Sequence, residues 1–328
     1  IYLIDGNYTS RVLDAGRNST WLNVTWDENL PYGEELPSNQ GVETSLGGVN
    51  MTGNVLLYHF NNDSSFSEND QRNVSNSVYD FSGLGNNGSL GNASASSNPV
   101  WNISGKLGGA YSFNRHFIYA NTVSPYLSGD FTLSTWVQSE SNTDGQFFAS
   151  FNTQAGGNTL LFGSLGGKSN LSLYDTDGWE HTNKSFIDGN WHHVMFILDA
   201  GNSGTFYLDG VNVFDYSTST TIGSTDSFSI GMEYDSANPS NFWNGSIDEF
   251  AIWNRSLSNA EILNVYKRGA LRLNLSARSC DDSSCVGESW TGVGGNASFE
   301  SISLVTNRYF QYMMSYESDD TLYTPELN

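Results

Sequence analysis

The chain of 328 residues is poor in cross-links, in positive charge and in membrane-length apolar runs. It holds two cysteines, six prolines and 13 lysine and arginine residues against 35 acidic ones, for a formal net charge of −22. Such a surface repels phosphate, which excludes nucleic acid as a partner and makes anionic membranes poor ones. Divalent cations are electrostatically favoured, although acidity of this kind also serves solubility alone. No apolar run approaches the roughly twenty residues of a spanning helix, so no direct membrane insertion is expected within this stretch. No signal-peptide pattern is read in this sequence, which opens at Ile1 on residues that already read as folded. The expectation is a mature, secreted or surface-displayed ectodomain. No G-x-S-x-G, no H-E-x-x-H and no phosphate-binding glycine loop occurs.

The two cysteines, Cys280 and Cys285, sit in S-C-D-D-S-S-C. A small disulfide-closed loop is expected, because a two-thiol metal site would need further Cys or His ligands and none lies nearby. A disulfide implies an oxidising compartment. The glycosylation acceptor N-x-S/T agrees with it. It occurs at Asn7, Asn18, Asn23, Asn50, Asn62, Asn73, Asn87, Asn92, Asn102, Asn170, Asn183, Asn244, Asn254, Asn274 and Asn296. That is about twice the chance frequency for a chain so rich in Asn, Ser and Thr, so N-linked glycans are expected.

What the chain does have is aromatic residues, at 14%, and 34 glycines. Its periodic stretches are dominated by Thr, Ser, Tyr, Phe, Trp and Val, which favour twisted antiparallel sheets. FTLSTWVQ at 131–138 places Phe131, Leu133, Thr135 and Val137 on one face, the pattern of a half-buried strand. Asp188-Gly189 and Asp209-Gly210 read as turns between such runs. Ser258, with Glu261 three residues on, reads as a capping box opening a short helix. Many short strands at regular spacing predict an all-β sandwich.

The motifs LYHF at 57–60, YDFSGLGNNGSL at 79–90, GKLGGAYSF at 105–113, FTLSTWV at 131–137, WHHVMF at 191–196, FYLDGVNV at 206–213 and GSIDEFAIWNRSLSNAEI at 245–262 follow one another in a telling order. Together they resemble the laminin-G-like jelly rolls of the concanavalin A-like lectin/glucanase superfamily. The resemblance covers residues 53–269. The flanks, residues 1–52 and 270–328, offer about two and four strands, and neither alone can bury a core. Joined, they make a smaller discontinuous β-sandwich, similar to a module of archaeal and bacterial surface proteins. The jelly roll is then inserted into that module; the alternative is three units in a row. In the same reading Ile1, Tyr2, Leu3 and Ile4 form a strand that could fill an open sheet edge of a further copy of the chain.

The resemblance implies a binding module more readily than an enzyme. Hydrolases of this fold carry alternating carboxylates on one strand, and no such run is present; Asp248 and Glu249 are adjacent, so a regular strand would turn them to opposite faces. His192 and His193 match structural positions of the family, and His59, His116 and His181 have no evident nucleophile beside them. The family often holds one Ca²⁺, and the resemblance points to Asp80 and Asp248 as its oxygen ligands, with Asn86 or Asn87 adding an amide or backbone oxygen; the alternative is that the two aspartates only cap turns. Trp136, Trp191 and Trp253 fall at core positions of the family. Trp179, Tyr234 and Trp243 lie in loop-like segments and are the candidate sugar platforms, with Trp243 equally readable as an edge-closing core residue. The expected function is non-catalytic recognition or adhesion at a cell surface, with surface glycans or glycoproteins as partners. The competing expectation is a structural subunit of an extracellular filament or surface layer assembled by strand donation.

Overall fold

The computed structural model describes residues 4–25, 31–43, 48–70, 77–91, 94–141, 145–153, 157–165, 169–235, 238–294 and 299–326. The chain forms two compact units. One comprises residues 1–34, 43–48 and 264–328, and the other residues 35–42 and 49–263. Relative to boundaries at 52/53 and 269/270, residues 35–42 and 49–52 pack with the larger unit and residues 264–269 with the smaller.

The larger unit is a sandwich of two antiparallel sheets. Strands Gly178–Ser185, Asn170–Asp175, Asn158–Ser164, Gln146–Asn152, Ser227–Ile230, Ile118–Tyr119 and Ser89–Leu90 form one sheet in that order. Strands Val211–Ser217, Ser203–Leu208, Trp191–Asp199, Phe131–Gln138, Asn244–Trp253, Ala110–Asn114 and Val100–Asn102 form the other. Aromatic rings meet between the layers: Phe162 lies 5.0 Å from Phe196, Phe228 5.7 Å from Phe250 and Phe131 5.8 Å from Phe151. Each ring removes a large apolar area from water, which is the main source of stability for a two-layer fold.

Local chemistry fixes the connections. Asp209 and Gly210 both take positive φ, 52° and 75°, the pairing a two-residue hairpin needs between Ser203–Leu208 and Val211–Ser217. The helix Asn259–Ala270 opens on the expected capping box: the Ser258 N–H donates to Glu261 Oε2 at 2.8 Å, and the Glu261 N–H to Ser258 Oγ at 3.4 Å. Strand Phe131–Gln138 is buried on both faces from Phe131 to Val137, not on one. Its outward residues are covered: Thr132 Oγ1 donates to the Arg255 carbonyl, Ser134 Oγ meets His193 Nε2, and the Lys106 ammonium lies 4.4 Å from the Trp136 ring centre.

Strand Asn244–Trp253 changes neighbour midway. Asn244 to Ile247 pair with Ala110–Asn114, and Phe250 to Trp253 pair with Asn54–Tyr58. Between these stretches the register against Phe131–Gln138 shifts from Asp248 to Ala251, and Glu249 takes φ 48°. A bulge of this kind breaks the two-residue alternation. Asp248 and Glu249 sit at this bulge, and both side chains are buried.

In the smaller unit the two ends of the chain share one sheet. Asp5–Thr9 and Leu13–Ser19 both pair with Asn307–Ser318, which pairs with Leu271–Cys280, and that strand pairs with Thr291–Gly294. Asn23–Thr25 pairs with Phe299–Ser301. Leu271, Leu273, Leu275, Met314 and Tyr32 form its core. Ser10 interrupts the first of these runs, its Oγ accepting the Tyr312 N–H in place of a backbone carbonyl. Near the end of the chain residues 322–326 are turn and coil, with Tyr323 packed 6.2 Å from Tyr266. Cys280 and Cys285 form the expected disulfide, both buried. Ile1, Tyr2 and Leu3 lie outside the described residues; the Ile4 carbonyl accepts the Ser318 N–H of its own chain at 2.7 Å, so its backbone already continues a sheet in cis.

Truncating Phe196 to alanine should cost about 3–5 kcal/mol, read as a lower urea midpoint at unchanged slope. Val286→Ala, at an exposed position, should stay within about 0.5 kcal/mol of wild type.

Candidate functional site

The residues proposed for calcium are committed elsewhere. Asp80 is buried and its carboxylate accepts four donors: the N–H groups of Leu57, Ser82 and Asn86 and the Ser82 hydroxyl, at 2.7–3.0 Å. Asn86 donates its amide to the Val55 carbonyl, and its own carbonyl accepts the Tyr58 hydroxyl. Asp248 accepts the N–H groups of Lys106, Leu107 and Glu249. Burial, and secondarily Glu249, pushes its carboxyl well above the usual carboxylate range. A hard cation requires oxygens turned toward it, whereas the Asp80 and Asp248 carboxylates face N–H and O–H donors that would oppose a positive ion. In this arrangement the Asp80 and Asp248 carboxylates do not fit Ca²⁺. They tie loops to strand edges.

The aromatic candidates separate. Trp243 is fully buried, stacked 5.9 Å from Phe186 and edge-on to Phe148 at 5.7 Å, so it is core and no platform. Tyr234 is half-buried and stacks on Tyr119 at 5.7 Å. Trp179 is 40% exposed. It lies with Tyr174 at 4.9 Å, Phe147 at 6.0 Å and His181 at 6.4 Å, a small aromatic patch at the edge strand of its sheet. Among sequon residues Asn7, Asn18, Asn23, Asn50, Asn102, Asn183, Asn244, Asn254 and Asn274 are exposed, while Asn62, Asn87 and Asn170 are half-buried. Asn73, Asn92 and Asn296 lie outside the described residues.

Beside Trp243 the structure opens a cleft of about 450 Å³ that the sequence did not suggest. Phe242 lines it with the Arg115 guanidinium 6.0 Å from its ring centre, and Asn114, Asn241 and Asn244 also line it. Arg115 and Asn241 both hold positive φ, 62° and 45°. Asn241 is pinned there, its Nδ2 donating to the Gly145 carbonyl and its own carbonyl accepting the Phe147 N–H, both at 3.0 Å. Strained backbone that neighbours over-determine is common where side chains are aimed at a ligand. A second hollow of about 420 Å³, lined by Gln138, Ser139, Glu140 and Gly189, also includes Asn244. An apolar ring flanked by an arginine and carboxamides suits a neutral or acidic polyhydroxyl ligand.

A second constellation joins residues far apart in sequence. His59 Nδ1 lies 2.5 Å from Glu249 Oε1 and 3.8 Å from Glu35 Oε2. Burial works against the His59 cation, but Glu249 and Glu35 outweigh it and raise its proton affinity above an ordinary histidine's. Burial, with Glu249 in addition, raises Glu35, and burial also raises Glu68. His59 and Glu249 are 190 residues apart, and no local spacing announces the pair.

The WHHV histidines have opposite fates. His193 is buried and its proton affinity falls to about 4, first through desolvation. His192 is also opposed by burial, yet Asp209 at 2.7 Å and Asp188 at 3.1 Å raise it above 6.5.

A family model of the concanavalin A-like lectin/glucanase superfamily, laminin-G type, matches residues 114–263. Domain 4 of an extracellular arabinanase from Geobacillus stearothermophilus, solved in complex with arabinotriose, superposes with a TM-score of 0.50 at 21% identity, over 65% of this chain and 98% of that one. A mutant of Trypanosoma rangeli sialidase displaying trans-sialidase activity superposes at 0.50 and 14% identity, over 67% of this chain and 33% of its own. At such identities the likeness is one of fold. No curated protein matches the chain.

Two outcomes follow. Asp80→Ala strands four buried donors and should cost about 3 kcal/mol or more, while millimolar calcium should leave the melting temperature of wild type unchanged. For His192, a folded affinity above 6.5 means its contribution is complete below pH 6.5 and is lost as pH rises through the folded value. The melting temperature of wild type should therefore fall relative to His192→Gln across that window, and parallel curves would refute the coupling.

Proposed function

We propose that the jelly roll is a non-catalytic glycan-binding module of an extracellular recognition protein, with the Arg115–Phe242 cleft as its binding site. The observation that carries this reading is the cleft itself: Phe242, Arg115 and the asparagines Asn114, Asn241 and Asn244 line about 450 Å³, room for one or two sugar rings. Sugars are bound by apolar stacking together with directed hydrogen bonds, and this set supplies both. The related fold of the arabinanase domain, in its complex with arabinotriose, is consistent with the reading. The disulfide and the exposed sequons support an extracellular setting. Among the described residues no helix is long and apolar enough to cross a membrane.

Asn244 heads a sequon and lines the cleft, so an attached glycan there would compete with a bound one. The experiment therefore uses protein free of N-glycans, screened on a glycan array and followed by calorimetry with the best oligosaccharide. Arg115→Ala and Phe242→Ala should each weaken binding at least about tenfold, or 1.4 kcal/mol, with Trp179→Ala within about twofold of wild type. Loss on Trp179→Ala alone would move the site to the edge-strand patch, and absence of any saturable ligand would overturn the proposal.

A further inference from the structure

We propose that Glu35, His59 and Glu249 form a binding site for one divalent transition-metal ion of the zinc or manganese class. Each residue offers one ligand atom, and the three atoms lie within 4.8 Å of one another. The donor set is one imidazole nitrogen and two carboxylate oxygens. The nitrogen favours a borderline transition ion over calcium, which takes oxygen shells.

The spacing fits such an ion closely. Two ligand atoms about 2.0–2.1 Å from a tetrahedral zinc stand about 3.3 Å apart. The two observed separations from His59 Nδ1, 2.5 Å and 3.8 Å, bracket that value. Small carboxylate rotations in opposite senses bring both onto it. Where Nδ1 carries a proton, the ion replaces it and the proton leaves to solvent.

The ligands are also held in place by groups behind them. Asn61 Nδ2 donates to Glu35 Oε1, leaving Oε2 as the oxygen that faces His59. Asn61 is itself anchored by the Gly109 N–H at its Oδ1, 2.9 Å away. The Leu36 N–H donates to Glu249 Oε2 at 3.2 Å, leaving Oε1 toward His59. Outer hydrogen bonds that fix one carboxylate oxygen and present the other are the usual support of a metal site. His59 and Glu249 are buried, whereas the Glu35 side chain is 33% exposed, which gives the ion a way in from solvent and room for a water as fourth ligand. Glu68 adds a further negative potential at both His59 and Glu35.

The test is calorimetric titration of the full chain, stripped with chelator, by Zn²⁺, Mn²⁺ and Ca²⁺, with melting temperatures alongside and Co²⁺ as a spectroscopic stand-in. Expected are one saturable Zn²⁺ site, a rise in melting temperature with free Zn²⁺, and visible Co²⁺ absorption of a four-coordinate site. His59→Ala should abolish all three. Because His59 is buried and its loss could unfold the chain, Glu35→Gln is the control: at this partly exposed ligand the metal-free melting temperature should hold, and Zn²⁺ affinity should drop at least about tenfold. Absence of a saturable Zn²⁺ or Mn²⁺ site in wild type, or affinity unchanged in Glu35→Gln, would overturn the assignment and leave the cluster an ion pair.

Discussion

The larger unit depends on one constraint: strand Asn244–Trp253 has to serve two different neighbours along a single edge. It pairs with Ala110–Asn114 through Ile247 and with Asn54–Tyr58 from Phe250 onward. The gap between those partners would leave backbone N–H groups stranded inside the protein, at a cost of about 1–3 kcal/mol each. Asp248 closes it by accepting the N–H groups of Lys106, Leu107 and Glu249, while Thr135 Oγ1 donates to its carbonyl. Glu249, in the left-handed region, turns its carboxylate onto His59 and the Leu36 N–H. The same strand begins at Asn244, on the wall of the cleft. The bulge thus determines where the acid–imidazole cluster forms, on the strand whose first residue lines the cleft.

The excess acidity of the chain divides into two kinds of carboxylate with different physics. Asp80 and Asp248 are internal fasteners, each acting through several N–H donors. In the smaller unit Arg268 performs the converse task, a nearly buried guanidinium held by Glu43 at 2.8 Å and Glu34 at 3.4 Å. The remaining acids set the long-range field. Against that field a single arginine at the cleft is a local exception, and its place over an aromatic ring gives it a fixed direction. Folds of this class serve binding modules and enzymes alike, so the side chains of the cleft, and not the sandwich, carry the functional argument.

Much of the architecture was legible from pattern. Alternating runs marked the strands, Asp209-Gly210 marked a hairpin, and Ser258 with Glu261 marked the helix start, because each depends on residues within a few positions of one another. Pattern failed where burial came from elsewhere. Phe131–Gln138 looked half-buried because its second face is polar, yet Arg255, His193 and Lys106 cover that face. Asp80 and Asp248 have the chemistry of calcium ligands, and only their hydrogen-bond partners show them to be fasteners.

By itself the sequence determined the all-β class, the acidic surface, the disulfide loop and the order of the jelly-roll strands, since composition and short-range spacing suffice for each. Tertiary structure alone decided the functional geometry. Arg115 meets Phe242 across 127 positions of chain, and His59 meets Glu249 across 190. Trp243 and Trp179 are alike as residues, yet one is sealed in the core and the other left in water. Contacts of that range arise only after two sheets have stacked, because it is the stacking that fixes which side chains share a wall.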